Sequence, residues 1–170
     1  MDAMMKRLAV LEAEHAVRRT MARYMALCDV PNGGVEGETL KDLFASDAIW
    51  QGIGPHYANK FGYLQGHEQI IGMLNRYHPP VPHFTLNVHF LTTETIEVNP
   101  DAEFAKGRWI MLQTSAYVAG NSELIGAKLE IDFKPSVDGT WLIQHFRTQR
   151  LFDAPAQLNP AVQLDHAAQQ

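Results

Sequence analysis

Apolar residues recur at helical spacing across positions 8–29. Val10, Val17, Met21, Tyr24, Met25 and Cys28 fall on one face, with Glu12, Arg19 and Arg23 opposite. This pattern predicts an amphipathic helix lying on a core. Pro31, Gly33 and Gly34 break it, and Thr39 to Phe44 reads as a short second helix. Ala48, Ile49 and Trp50 suggest a first strand. The stretch 52–66 mixes glycine with Tyr57, Phe61 and Tyr63, a composition that suits a mobile flap. A third helix is expected over 67–78, stopped by Pro79, Pro80 and Pro82.

The period then changes from helical to alternating. Four strand-like runs, at 83–98, 104–118, 122–133 and 140–152, are separated by turn signals at Asn99-Pro100-Asp101, Gly120-Asn121 and Asp138-Gly139. In the third run Ile125, Ala127, Leu129, Ile131 and Phe133 alternate with Lys128, Glu130 and Asp132, so one face belongs to a core and the other to solvent or an interface. Helices first and an antiparallel meander after give an α+β class. Residues 1–152 read as one domain. Positions 153–170 read as a tail, either loose or folded over something.

Composition narrows the partners. A chain of 170 residues buries roughly 70% of the surface its unfolded form exposes, so no staple is required. The lone Cys28 cannot form an internal disulfide. The only early apolar run is Leu8-Ala9-Val10, which is too short for a secretory signal, and a cytoplasmic setting is expected. No stretch reaches the roughly 18 to 20 apolar residues of a membrane span, and a net charge of -5 argues against nucleic acid or an anionic lipid surface. A small apolar molecule, or another copy of the chain, is the expected partner.

Two residues carry the candidate chemistry. Asp29 closes the first helix, where the negative end of the helix dipole disfavours an unpaired acid by roughly 0.3 to 1 kcal/mol, so a compensating partner is expected. His83 opens the first long strand. An imidazole oriented by a carboxylate in a pocket can transfer protons, and Asp29 with His83 is the expected pair. Plainer readings stand beside it. His83 could serve only as a backbone hydrogen-bonding residue, Asp29 could initiate the Pro31-Gly34 turn, and Tyr24 could pack in the core with its hydroxyl satisfied. Alternation puts His83, Thr85, Asn87 and His89 on one strand face and Phe84, Leu86, Val88 and Phe90 on the other; either face could line a cavity. His78, His83 and His89 lack the spacing of a helical zinc pair, and no metal is expected.

Several words of the sequence point to a family. The segments 23–29 (RYMALCD), 43–48 (LFASDA), 66–70 (GHEQI), 83–87 (HFTLN) and 138–143 (DGTWLI) resemble the SnoaL-like branch of the nuclear-transport-factor-2-like superfamily, which includes scytalone dehydratase. The resemblance implies a cone-shaped α+β barrel, with three helices on a curved, mostly antiparallel sheet. It places the family's helix-ending aspartate on Asp29 and its strand-opening histidine on His83. Tyr24 matches a tyrosine that many SnoaL-like sequences carry and is, with Tyr57 and Trp50, a candidate hydrogen-bond donor; Trp50, Tyr57, Asn87, Trp109, Leu129 and Phe146 are the candidate substrate-binding residues. Cys28, Gln51, the 108–111 segment and Leu129 depart from the dehydratase's own polar pocket residues, which points away from scytalone itself.

On this reading His83 removes a proton next to a carbonyl while Asp29 fixes its tautomer. A β-hydroxyl gives dehydration; without one the double bond migrates. Neither reaction needs a cofactor. The exposed strand face is expected to be covered by another copy, making a homodimer or homotrimer, and the resemblance implies a tail that covers the pocket mouth. The rival of a different class is a non-catalytic binding protein or assembly subunit of the same fold. Epoxide hydrolysis, which in this fold sets an arginine between two aspartates, is disfavoured because Asp132 is expected on the solvated face.

Overall fold

The computed structural model describes residues 3–161. The first helix, α1 (Ala3–Cys28), starts earlier than its apolar stripe suggests and buries Val17, Met21, Tyr24, Met25 and Cys28, with Val10 half-buried. After a 3-10 turn at Leu40–Leu43 come β1 (Phe44–Ile53), α2 (Gly54–Lys60), β2 (Tyr63–Gln65) and α3 (Gly66–Leu74), the last running into a second 3-10 turn at Asn75–Tyr77. Four long strands complete the fold: β3 (Phe84–Val98), β4 (Ala105–Tyr117), β5 (Ser122–Pro135) and β6 (Trp141–Pro155).

The strands form one mixed sheet in the order β2-β1-β6-β5-β4-β3. The meander β3 to β6 is antiparallel, β1 joins β6 in parallel, and β2 pairs antiparallel with β1. Register shifts at Phe84/Leu86 and Thr92/Thr95 in β3, and at Gly126/Ala127 and Asp132/Phe133 between β5 and β6, bend the strands as bulges do. The α+β cone expected from the sequence is present. Its sheet stays open, with β2 and β3 as the two edges.

Alternation decides which side is core. Ile125, Ala127, Leu129, Ile131 and Phe133 are all buried on the concave face, where α1 lies along β3 and α3 packs on β1. Two expectations are corrected. The glycine-rich stretch after β1 is not a mobile flap but the ordered elements α2 and β2. Gly54 takes a positive φ of 74°, Pro55 follows in the first turn, and that pairing launches a helix directly out of the strand. The last strand also runs on to Pro155, so residues 153–155 belong to the sheet; the proposed lid falls largely on 162–170, outside the described residues. Among the described residues no helix is long and apolar enough to cross a membrane.

Candidate active site

A cavity of about 140 Å³ opens between the concave face of the sheet and the three helices. Its apolar body is aromatic. Trp50 of β1 stacks on Phe146 of β6 at 5.4 Å, and Tyr24 of α1 lies 5.0 Å from the same phenyl ring. Trp50 Nε1 donates to the Tyr24 hydroxyl at 3.3 Å. Burial, with the neighbouring Cys28 as a lesser cause, holds the Tyr24 pKa well above that of an ordinary phenol. Burial likewise pushes the Cys28 thiol up to about 12, so it stays protonated. Tyr24 therefore remains a neutral hydroxyl facing the cavity.

The polar wall comes from β3 and β4. Asp29, the first residue past α1, accepts two hydrogen bonds on one carboxylate oxygen. The His89 backbone N–H donates at 3.0 Å, and His89 Nδ1 lies 2.8 Å away. A carboxylate only accepts, so Nδ1 carries a proton, and the neutral form of the imidazole is the tautomer that keeps its lone pair on Nε2. His89 lines the cavity, and Nε2 has no protein partner among the described residues. Beside it, Gln113 stands opposite His89 in the β3–β4 register and donates to Asn87 Oδ1 at 2.8 Å; Ser115 Oγ donates to the same atom at 2.8 Å.

The expected partnership of Asp29 with His83 does not form. A two-way backbone bridge between Val30 and Asn87 (2.8 and 2.9 Å) pins the chain leaving α1 against β3 in antiparallel register. That register sets residue 29 across from 88 and beside 89, whereas 83 would fall opposite 34. The six residues from 83 to 89 span roughly 20 Å of extended strand, beyond the reach of a carboxylate. His83 instead stands at the cavity mouth between aromatic rings, 5.0 Å from Tyr77 and 5.4 Å from Tyr117.

The other expected site residues sort clearly. Tyr24, Trp50, Tyr57, Asn87, Leu129 and Phe146 all line the cavity. Trp109 does not. Gly107, two positions earlier on the same strand face, leaves room for the indole to fold back over it; a Cβ there would lie 2.1 Å from the ring. Trp109 is consequently core, edge-on to Phe133 at 6.3 Å, and its Nε1 donates to Glu94 at 3.0 Å. The polar face of β3 turns inward at Asn87 and His89, while Phe90 is exposed. Sequence reasoning missed His89, Gln113, Lys60 and Arg150 as cavity residues. For His89 the signal was present: it lies two positions beyond Asn87 on the same strand face.

Among the described residues no three His, Cys, Asp or Glu side chains gather as a metal would require.

Residues 9–147 match the family model for the SnoaL-like domain. The chain belongs to that family. No curated protein matches it in sequence. Among solved structures it is similar to a hexachlorocyclohexane dehydrochlorinase, LinA type 2, with a TM-score of 0.72, 20% identity, and coverage of 92% of this chain and 99% of that one. A candidate scytalone dehydratase from Novosphingobium aromaticivorans superposes with a TM-score of 0.71 at 17% identity, covering 94% and 97%. A LinA-type3 dehydrochlorinase from Novosphingobium barchaimii gives a TM-score of 0.71 at 19% identity, covering 91% and 99%. At these identities the likeness shows this SnoaL-like protein to share their fold.

Proposed function

We propose that this SnoaL-like protein is a cofactor-independent lyase or isomerase in which His89, held by Asp29, is the general base. The observation that carries the reading is the 2.8 Å contact between His89 Nδ1 and Asp29, which leaves Nε2 free inside a mostly apolar cavity. Nε2 takes the proton from the carbon next to a carbonyl, and the C–H electron pair becomes an enolate. Asp29 stabilises the imidazolium that forms. The neutral Tyr24 hydroxyl is the donor available to the developing oxyanion; the Gln113 amide is spent on Asn87 and Ser115, at 2.8 and 2.9 Å. If a β-hydroxyl is present it departs as water, taking the proton back from His89. If a β,γ double bond is present, the proton returns at the γ carbon. Dehydrochlorination and dehydration, in the names of the structural neighbours, are likewise eliminations that remove a proton from carbon.

The substrate on this reading is a hydrophobic ring compound. A cavity of about 140 Å³ is close to the size of the roughly 150 Å³ engineered protein cavity that takes up benzene. Association of copies belongs to the same proposal, since the sheet leaves Phe90 and Phe152 exposed, and light scattering checks it.

Deuterium exchange at the α-carbon of cyclic β-hydroxy ketones and β,γ-unsaturated ketones, followed by NMR, tests the base directly. Exchange and turnover should fall about 100-fold or more in His89→Ala, the usual worth of a general base. A loss below about tenfold on a true substrate, or binding without exchange across the panel, would move the protein to the class of plain ligand binders.

A further inference from the structure

The cavity has a second chemical end that the proton-transfer reading does not use. Its mouth is bounded by a chain of contacts that returns on itself. Arg150 lies over the Tyr57 ring at 5.6 Å, Tyr57 meets Phe61 at 5.1 Å, and Lys60 Nζ sits 5.1 Å from Phe61 and 5.8 Å from Tyr77. Tyr77 then meets His83 at 5.0 Å, and His83 meets Tyr117 at 5.4 Å. Tyr117 donates to Glu123 at 2.5 Å, and Glu123 lies 3.6 Å from Arg150, closing the loop.

The charges on this rim are only loosely paired. Lys60 has no carboxylate partner among the described residues, and its pKa is lowered by burial and then by Arg150. The Arg150 contacts to Glu123 and Asp153, 3.6 and 3.5 Å, are both long, and Asp153 is about half exposed. Among the described residues Arg150 Nε is buried with no hydrogen-bond partner. Two cations thus face two acids held no closer than 3.5 Å to Arg150, one of which Tyr117 already engages. A buried guanidinium nitrogen without an acceptor is costly, and a planar oxyanion is the group its fork fits.

We infer that this rim binds the carboxylate of the substrate, so that the ligand is an apolar ring acid with its ring in the cavity and its charge between Lys60 and Arg150. This rests on the proposed function only in taking the cavity as the substrate site. The carboxylate would anchor the molecule at the mouth, leaving the reacting C–H at the His89 end. Arg150 and Lys60 serve here as binding residues and do no chemistry.

The probes are benzoate, trans-cinnamate and 2-naphthoate, each paired with its primary amide, which keeps the ring and removes the charge. Binding is read by the emission of Trp50, which lines the cavity, and by calorimetry. At least one acid should bind about tenfold or more tightly than its amide at low salt, and the preference should shrink as salt rises. Lys60→Met should remove most of the preference, and Arg150→Gln the remainder. Equal affinity of acid and amide throughout, no measurable acid binding, or a preference that survives both substitutions overturns the inference. His89→Ala should keep the acid preference while losing α-carbon exchange. Loss of exchange without any acid preference would leave the base standing and remove the anion site; the reverse pattern would do the opposite.

Discussion

The Asp29 carboxylate holds His89 twice, by its ring nitrogen at 2.8 Å and by its backbone N–H at 3.0 Å. The acid therefore fixes both the tautomer of the imidazole and the position of the strand that carries it. Asp29→Asn keeps the size but can present an N–H to the ring in place of an acceptor, which favours the wrong tautomer. Turnover is expected to fall about 100-fold or more, with kcat rather than KM taking the loss. Unchanged kcat in a folded Asp29→Asn protein would show that the pair is structural.

His83 and His89 separate the two histidines that one strand face presents. Because His83 stands among aromatic rings at the mouth and has no carboxylate partner among the described residues, His83→Ala should raise KM and leave kcat within a few fold, whereas His89→Ala should abolish kcat. Steady-state kinetics on the same substrate decides it. A kcat collapse in His83→Ala with a normal His89→Ala would restore the pairing first expected.

Burial, and then the Lys60 charge, lower the His83 pKa from 6.5. A base kept neutral in the folded state binds fewer protons there than in the unfolded chain, so stability rises with pH across this window. Acidification through 6.5 toward the lower folded value should destabilise the protein, and His83→Gln should flatten that part of the curve. Melting temperatures of both proteins between neutral and mildly acidic pH test this. Parallel curves would assign the effect elsewhere, with His145 the next group to examine: its pKa is lowered by burial and then by Arg147.

Much of this architecture could be read from periodicity. The helical stripe of α1 and the period-two alternation of β5 each have one dominant solution, because a slip of one residue would expose Ile131 and Phe133. The order of the meander followed from its turns. The site was less legible because it depends on register between distant segments. Nothing local announces that Val30 bridges Asn87, and that bridge alone exchanges His83 for His89 as the partner of Asp29. Trp109 failed for a related reason: whether an inward tryptophan faces a cavity or packs beside it depends on the space above Gly107. The apparent flap misled because a glycine-rich composition describes equally a loose loop and a strand-to-helix corner that requires a positive φ at Gly54.

Trp109 as a core residue makes a contrast with Trp50. Trp109→Phe removes an indole that is 1% exposed together with its N–H bond to Glu94, and should cost about 1 to 3 kcal/mol of stability with little change in ligand affinity. Trp50→Phe should weaken ligand binding, because that indole stacks on Phe146 in the cavity wall and donates to Tyr24. Denaturation midpoints and ligand titrations on both variants check the contrast. An affinity loss in Trp109→Phe as large as that in Trp50→Phe would mean that the cavity extends to Trp109.

Gly52 couples the fold to the mouth of the cavity. A Cβ at this position would lie 2.2 Å from the Tyr57 carbonyl oxygen and 2.8 Å from its carbonyl carbon, and backbone atoms cannot swing aside as a side-chain end can. The Gly52 N–H also donates to the Gly62 carbonyl at 2.9 Å, so β1 and the segment after α2 are tied at the same place. Gly52→Ala must therefore push α2 away from the sheet, carrying Tyr57, Lys60 and Phe61 with it. The expected result is a loss of about 1 to 3 kcal/mol, in the range of overpacked positions, with a marked fall in affinity for any ligand that reaches the rim. Exchange at the His89 end should suffer less, because Asp29 and His89 are held by α1 and β3 instead. A Gly52→Ala protein with native stability and unaltered ligand affinity would show that α2 is free to shift and that the rim residues do not act from fixed positions.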